Sequence, residues 1–203
     1  MLRFGPMASS LHAVRLVRHP ETPAAAVRSV AARVGRTRPG ILTVTYVLEG
    51  DLARLRVPPP RTARMAARLW EHTCCEIFIA CRGLPGYHEF NFSPSSEWTV
   101  YAFKRYRDGA PLAAPAANDL DPQIAVRRTA GQLELEAAIP LARLSWLHRT
   151  AALALALSTV VEDDNGSLSY WALNHPAGKP DFHHADGFAL EIAGGDPAAL
   201  AAL

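Results

Sequence analysis

Lysine is almost absent from this sequence: Lys104 and Lys179 are the only two among 203 residues, and arginine takes nearly every other cationic position. Together with abundant alanine, the bias reads as a GC-rich coding preference and not as phosphate chemistry. The net charge of +2 is too small to draw the chain to nucleic acid or to an anionic membrane. Cysteine is scarce as well. Cys74, Cys75 and Cys81 form an odd set with two adjacent members, which argues against a disulfide framework and fits a reducing compartment. No apolar run approaches the ~20 residues of a membrane-spanning helix. The opening MLRFGPMASSLHAVRLVR lacks the uninterrupted apolar stretch of a secretory signal. A cytoplasmic protein is expected, with no membrane and no nucleic-acid partner.

Long amphipathic helices are missing too. Short alternating or β-branched runs dominate, separated by turn residues. Strands are predicted at Leu11–Arg18, Ile41–Glu49, Glu76–Arg82, Tyr87–Phe92, Trp98–Tyr106, Gln123–Arg128, Gln132–Ala138, Ala151–Glu162, Leu168–Leu173 and Gly187–Ile192. Ala24–Val34 is ambiguous, because Val27, Val30 and Val34 would also line one face of a helix. The segment around Pro58-Pro59-Pro60 and that from Asp108 to Asp121 are expected loops, and Pro140–Leu147 one short helix. Nine to eleven short strands with little helix predict an all-β sandwich, one domain over residues 1–203 with its core at about 11–193.

Two clusters mix aromatic and polar residues: Leu69–Tyr106 and Tyr170–Phe188. Strand alternation in Tyr87–Phe92 puts His88, Phe90 and Phe92 on a core face and Tyr87, Glu89 and Asn91 opposite, with successive residues of that face ~7 Å apart. A polyhydroxylated ligand needs such acceptors and donors together with flat aromatic platforms; Trp70, Trp98 and Trp171 are candidates. Trp98 shares its face with Val100 and reads more simply as packing, and Trp146 reads as core.

The segments LWEHTC, EIFI, EFNFSPS and WALNHPAGKPDFHH, closed by GFALEI, give a pattern that resembles the bacterial DOMON-like proteins and the family 9 carbohydrate-binding superfamily. It covers roughly Ile41 to Phe188. The resemblance implies a jelly-roll-like sandwich that holds a small carbohydrate between Trp70 and Trp171, with Glu76 and Asn91 supplying hydrogen bonds. Glu89 departs from the pattern, standing where related sugar binders place a basic residue, and is read from strand alternation as a further hydrogen-bonding group. The loop from His175 to Asp186, with His175 and Lys179, would form a rim or lid. No bond is broken and no cofactor is required.

Three other readings are open. A hydrolase acting on sugars would use Glu76 and Glu89 as its paired carboxylates. Some DOMON relatives bind haem b through a Met with a His or Lys, which here would involve Met65 or the early Met1 and Met7. His175, His183 and His184 with Asp181 and Asp186 crowd one loop, but their spacing matches no known metal motif. A cysteine nucleophile is disfavoured: Cys75 should point inward with Ile77 and Ile79, and Cys74 shares a face with Glu76, whose charge would raise its pKa. The competing structural role for Glu76 is an ion pair with Arg82 or Arg105. For Asn91 it is bracing of the Ser93-Pro94-Ser95 turn.

Overall fold

Alternating short apolar runs form thirteen strands among the described residues, which in this computed structural model are 11–23, 26–113 and 116–195. In chain order they are β1 (His12–Arg18), β2 (Val27–Arg38), β3 (Ile41–Gly50), β4 (Arg64–Met65), β5 (Cys74–Cys81), β6 (Tyr87–Phe92), β7 (Glu97–Arg105), β8 (Asp108–Pro111), β9 (Gln123–Arg128), β10 (Gln132–Pro140), β11 (Leu153–Glu162), β12 (Leu168–Ala172) and β13 (Leu190–Ile192). The helices are short: α1 (Ala116–Leu120), α2 (Leu141–Leu144) and α3 (Trp146–Thr150).

The strands run in one path, β4-β7-β6-β5-β11-β12-β1-β2-β3-β10-β9. It folds into two layers at β1, which pairs through His12–Leu16 with β2 in the first layer and through Val17–Arg18 with β12 in the second. The layers face each other across one continuous core. Val34, Leu42, Val44, Tyr46, Leu133 and Leu135 come from the first, and Cys75, Ile77, Phe90, Phe92, Val100 and Leu155 from the second. Each such side chain, fully removed from water, contributes about 1.5–3 kcal/mol. The result is an all-β sandwich with little helix, as the sequence predicts.

The ambiguous Ala24–Val34 segment resolves as β2 over its described part. Its helix-like spacing has a local cause, a register shift between Val27 and Ser29 opposite β3. One extra residue there lets Val27 and Val30 both face the core. Three expectations are corrected. The 108–121 segment is no plain loop: β8 pairs with β7, and α1 follows. The single helix over Pro140–Leu147 is two helices, because Ser145 adopts extended backbone and its side chain caps α3 by accepting from the His148 backbone N–H. Trp146 consequently starts α3 on the surface, 61% exposed, with the Arg149 guanidinium over its ring at 5.2 Å.

Strand β5 is buried on both faces. Its inner face is core. Its outer face carries Phe78, which packs with Tyr87 and Ala156 beneath Phe103, Phe182 and Phe188. Phe182 and Phe188 belong to the segment after β12, so that segment folds back over the outside of the second layer and roofs a recess there. Gly86 sets the tight β5–β6 turn: its φ is +83°, and a Cβ would lie 2.4 Å from the Phe103 carbonyl oxygen, a place that excludes every larger residue.

Candidate functional site

The recess is a cavity of about 420 Å³, within the range of small-molecule sites. Its floor is the outer face of the second layer. Glu76 from β5, Glu89 from β6, Tyr101 and Phe103 from β7, Val160 from β11 and Tyr170 from β12 line it. Trp70, in the turn before β5, forms one wall, and its indole meets the Tyr101 ring edge-on at 5.4 Å between centroids. The 173–184 loop forms the opposite wall with Pro180, Phe182 and His183, and Arg107 completes it from the turn after β7.

Pairing explains why the acids meet. Glu76 stands opposite Asn91 and Ser158, and Glu89 opposite Phe78 and Tyr101, so the two glutamates are diagonal neighbours on adjacent strands. Glu76 is 2% exposed, and its Oε2 accepts from the Ser158 hydroxyl at 3.2 Å. Burial pushes its carboxyl well above the ordinary range, the charge of Glu89 pushes it further, and the Ser158 hydrogen bond opposes both. Burial also raises Glu89, against the Asn91 amide, which donates to its Oε1 at 2.8 Å, and the charge of Arg107. Two acids so placed resist ionising together.

The loop is fastened by Asp181. Its Oδ1 accepts from Arg107 Nη2 at 2.8 Å and from the His183 backbone N–H at 3.1 Å, and its Oδ2 from the Tyr106 hydroxyl at 2.6 Å. Burial favours the neutral carboxyl, but the hydrogen bonds from Tyr106, Arg107 and His183 and the charge of Arg107 outweigh it and hold Asp181 ionised. The His183 ring is held at about 4 by burial first and by Arg107 second, so it is neutral at pH 7. Its Nδ1 lies 2.9 Å from the Tyr87 hydroxyl oxygen, which already accepts the Arg107 backbone N–H. Tyr87 and His183 Nδ1 thus share a hydrogen bond, and His183 Nε2 lies 3.7 Å from Glu89 Oε2.

The structure thus brings Trp70, Glu76 and Glu89 into one pocket and leaves the other expected site residues outside its lining. Asn91 is fully buried and acts through Glu89; it does not brace the Ser93-Pro94-Ser95 turn, whose hydrogen bonds are made by Ser93, Ser95 and Glu97. Trp171 is the main correction. It pairs with Thr159 and Arg18, points inward with the core, and its indole N–H donates to Ser169 Oγ at 3.2 Å. Tyr170, one residue earlier and on the opposite strand face, is the β12 aromatic in the pocket. His175 donates its Nε2–H to the Val17 carbonyl at 2.8 Å, away from the cavity, and Lys179 is exposed on the loop without lining it. Neither arginine offered as a Glu76 partner serves: Arg82 pairs with Glu191 and Arg105 with Asp108. Arg107, Tyr101, Phe103, Tyr170 and His183 were missed as site residues.

Among the described residues, nothing assembles the haem ligation considered above. Met65 pairs with Trp98 and packs against the core, while Met1 and Met7 lie outside the described residues. Among the described residues no group of three or more His, Cys, Asp or Glu side chains is arranged to hold a metal ion. The Cys75 thiol is raised to about 12 by burial, and Cys74 is raised by burial and by Glu76, so neither is a nucleophile.

Glu76 also makes a measurable prediction. An acid whose pKa is raised on folding binds more protons in the native state, so its contribution to stability falls as pH rises above its ordinary 4.5 toward the folded value. Glutamine does not titrate. In thermal unfolding from pH 4.5 to 8, Glu76→Gln should gain stability relative to wild type as pH increases; a difference that is flat with pH contradicts the raised carboxyl.

No protein-family model matches the sequence, and no curated protein matches it. Solved structures do. A candidate carbohydrate-binding protein from Bacteroides uniformis superimposes with a TM-score of 0.62 at 14% identity, over 90% of this chain and 85% of that one. A family 9 carbohydrate-binding module from Caldicellulosiruptor kristjanssonii, solved with cellotriose, superimposes with a TM-score of 0.53 at 11% identity, over 93% of this chain and 86% of that one. At these identities the likeness shows a shared fold: this chain is a β-sandwich folded like those two proteins.

Proposed function

We propose that this protein is a DOMON-like, non-catalytic binding protein that holds a mono- or disaccharide in the pocket between Trp70 and the 173–184 loop. The observation that carries the reading is the composition of that pocket. Trp70, Tyr101, Tyr170 and Phe182 supply apolar aromatic surface around two carboxyls, a guanidinium and an imidazole. Sugar C–H faces pack on the former and hydroxyls bond to the latter. The two fold relatives support the same reading. Trp171 contributes by packing the strand that carries Tyr170, and the three free, buried cysteines fit the expected cytoplasmic setting.

The test is a titration of intrinsic tryptophan fluorescence with a panel of mono- and disaccharides. Trp70 is the one tryptophan lining the pocket, so a saturable change is expected in the wild type. Trp70→Ala should lose most of that signal and weaken binding about three- to ten-fold, the ~1 kcal/mol scale of one aromatic contact. Absence of saturable binding to every sugar, by fluorescence and calorimetry alike, overturns the reading.

The coupled glutamates favour one alternative, a sugar hydrolase. Both acids rise from the same floor of the pocket, whereas glycosidase carboxylates flank the scissile bond, which is why binding is preferred. Release of a reducing sugar from a bound disaccharide, abolished by Glu76→Gln, would establish hydrolysis instead.

A further inference from the structure

The pocket contains more acid than base. Among the described residues Arg107 is its one cationic side chain, and that guanidinium also bonds Asp181 at 2.8 Å. Glu76 and Glu89 are left with neutral hydrogen-bond partners, the Ser158 hydroxyl and the Asn91 amide. The ionisable groups near Glu76, besides Glu89, are Cys74 and Tyr170, with Tyr46 and Cys75 across the sheet in the core, and those near Glu89 are Cys74, Tyr87, Tyr101, His183 and Arg107. The cysteines and the tyrosines are uncharged, since burial raises every one of them, and His183 is neutral. The two carboxyls therefore lie side by side in a recess where, among the described residues, a single guanidinium shared between Asp181 and Glu89 opposes two buried acids.

Aromatic residues occupy the walls beside this deficit. Trp70 and Tyr101 stand on one side and Tyr170 and Phe182 on others, and aromatic rings attract a cation electrostatically. A neutral sugar satisfies the hydrogen bonds but leaves the charge uncompensated. An anionic sugar would add a third negative charge. A protonated amine answers both features: it donates up to three hydrogen bonds to the carboxylates and presents a cation to the rings.

Building on the carbohydrate reading, we infer that the pocket selects a sugar bearing a protonated primary amine, with the ammonium seated at Glu76 and Glu89 against the aromatic walls. The arriving cation favours ionisation of both acids. The proton that the pair holds in the empty pocket then passes to solvent, so binding of an amine that is already protonated releases a proton and strengthens as pH rises from 5 to 6.

The experiment compares three β-1,4-linked disaccharides by calorimetry and fluorescence: cellobiose, its counterpart built of two glucosamine units, and the N-acetylated form of that counterpart. At pH 6, where the sugar amines are already largely protonated, the diamine should bind at least ten-fold more tightly than either neutral sugar, with a net proton release read from two buffers of different ionisation enthalpy. Glu89→Gln and Glu76→Gln should each reduce that preference below three-fold, because each removes one of the two carboxylate charges while keeping a hydrogen-bonding side chain of the same size. The near-isosteric glutamines preserve volume, thermal unfolding verifies the fold, and either variant alone suffices. Equal affinity for cellobiose and the diamine overturns the inference while the carbohydrate reading stands. A preference that survives both glutamine variants overturns its placement on the acids. No saturable binding of any of the three overturns this inference, and if the full mono- and disaccharide panel also fails to bind, the carbohydrate reading falls with it.

Discussion

Trp171→Ala is expected to cost about 3–5 kcal/mol of stability, the range for truncating a buried aromatic in a close-packed core. Trp171 is 6% exposed and belongs to the main core cluster, where it joins the end of β12 to β1 and β11. Truncation leaves a cavity at the place where one layer passes into the other, and it leaves Ser169 Oγ without its indole donor. Denaturant unfolding should show a lower midpoint with an unchanged slope. Such protein as remains folded should bind ligand with nearly wild-type affinity, because Tyr170 and not Trp171 lines the cavity. The opposite pattern, intact stability with lost binding, would place Trp171 on the ligand and contradict its position in the core. A milder Trp171→Phe retains most of the volume and allows binding to be measured on a well-folded variant.

The contrast between Trp171 and Tyr170 marks where the sequence stops being legible. Parity along one strand can be read directly: in Tyr87–Phe92 the predicted inward set of His88, Phe90 and Phe92 and outward set of Tyr87, Glu89 and Asn91 match the pairing and the core, and Cys75 turns inward with Ile77 and Ile79. Alternating Leu153, Leu155 and Leu157 identify their own inner face in the same way. Parity between strands depends on register, and a slip of one residue exchanges the two faces. No residue in Leu168–Ala172 announces that Trp171 pairs with Thr159 and that Tyr170 therefore faces out. The β2 ambiguity has a related cause, since a bulge breaks the period of two that strand recognition relies on. Trp146 escaped because a single serine cap divides what reads as one helix.

The half of the pocket that was legible comes from one contiguous stretch, Trp70 to Glu89. The other half, Arg107 and His183, is assembled by contacts across 74 and 96 residues of chain, Arg107 to Asp181 and Tyr87 to His183. Neither residue carries a local signature. The late NHPAGKPDFHH segment stands out by composition, yet its candidate metal ligands act separately: His175 bonds to backbone, His183 to Tyr87, and His184 accepts from the Asp186 backbone N–H.

Those long-range contacts converge on Asp181, which gives the loop a single point of attachment to test. Asp181→Ala removes the acceptor shared by Tyr106, Arg107 and the His183 backbone N–H. Global stability should change by less than about 1 kcal/mol, because the Arg107–Asp181 pair is partly exposed and such pairs contribute little. The effect on the pocket should be larger. Arg107 is freed to turn toward Glu89, and the wall carrying Phe182 and His183 loses its fastening. Affinity for the tightest-binding disaccharide should fall by roughly thirty-fold, about 2 kcal/mol, the scale of a well-made hydrogen bond to a charged group. Amide hydrogen exchange should quicken over residues 173–188 and stay unchanged in β5, β6 and β11. Asp181→Asn keeps one acceptor oxygen but not the charge, so it should fall between wild type and alanine. Unchanged affinity in Asp181→Ala would mean that the loop holds its place through Phe182 and Phe188 packing alone, and that the wall opposite Trp70 is set by the apolar cluster over Phe78.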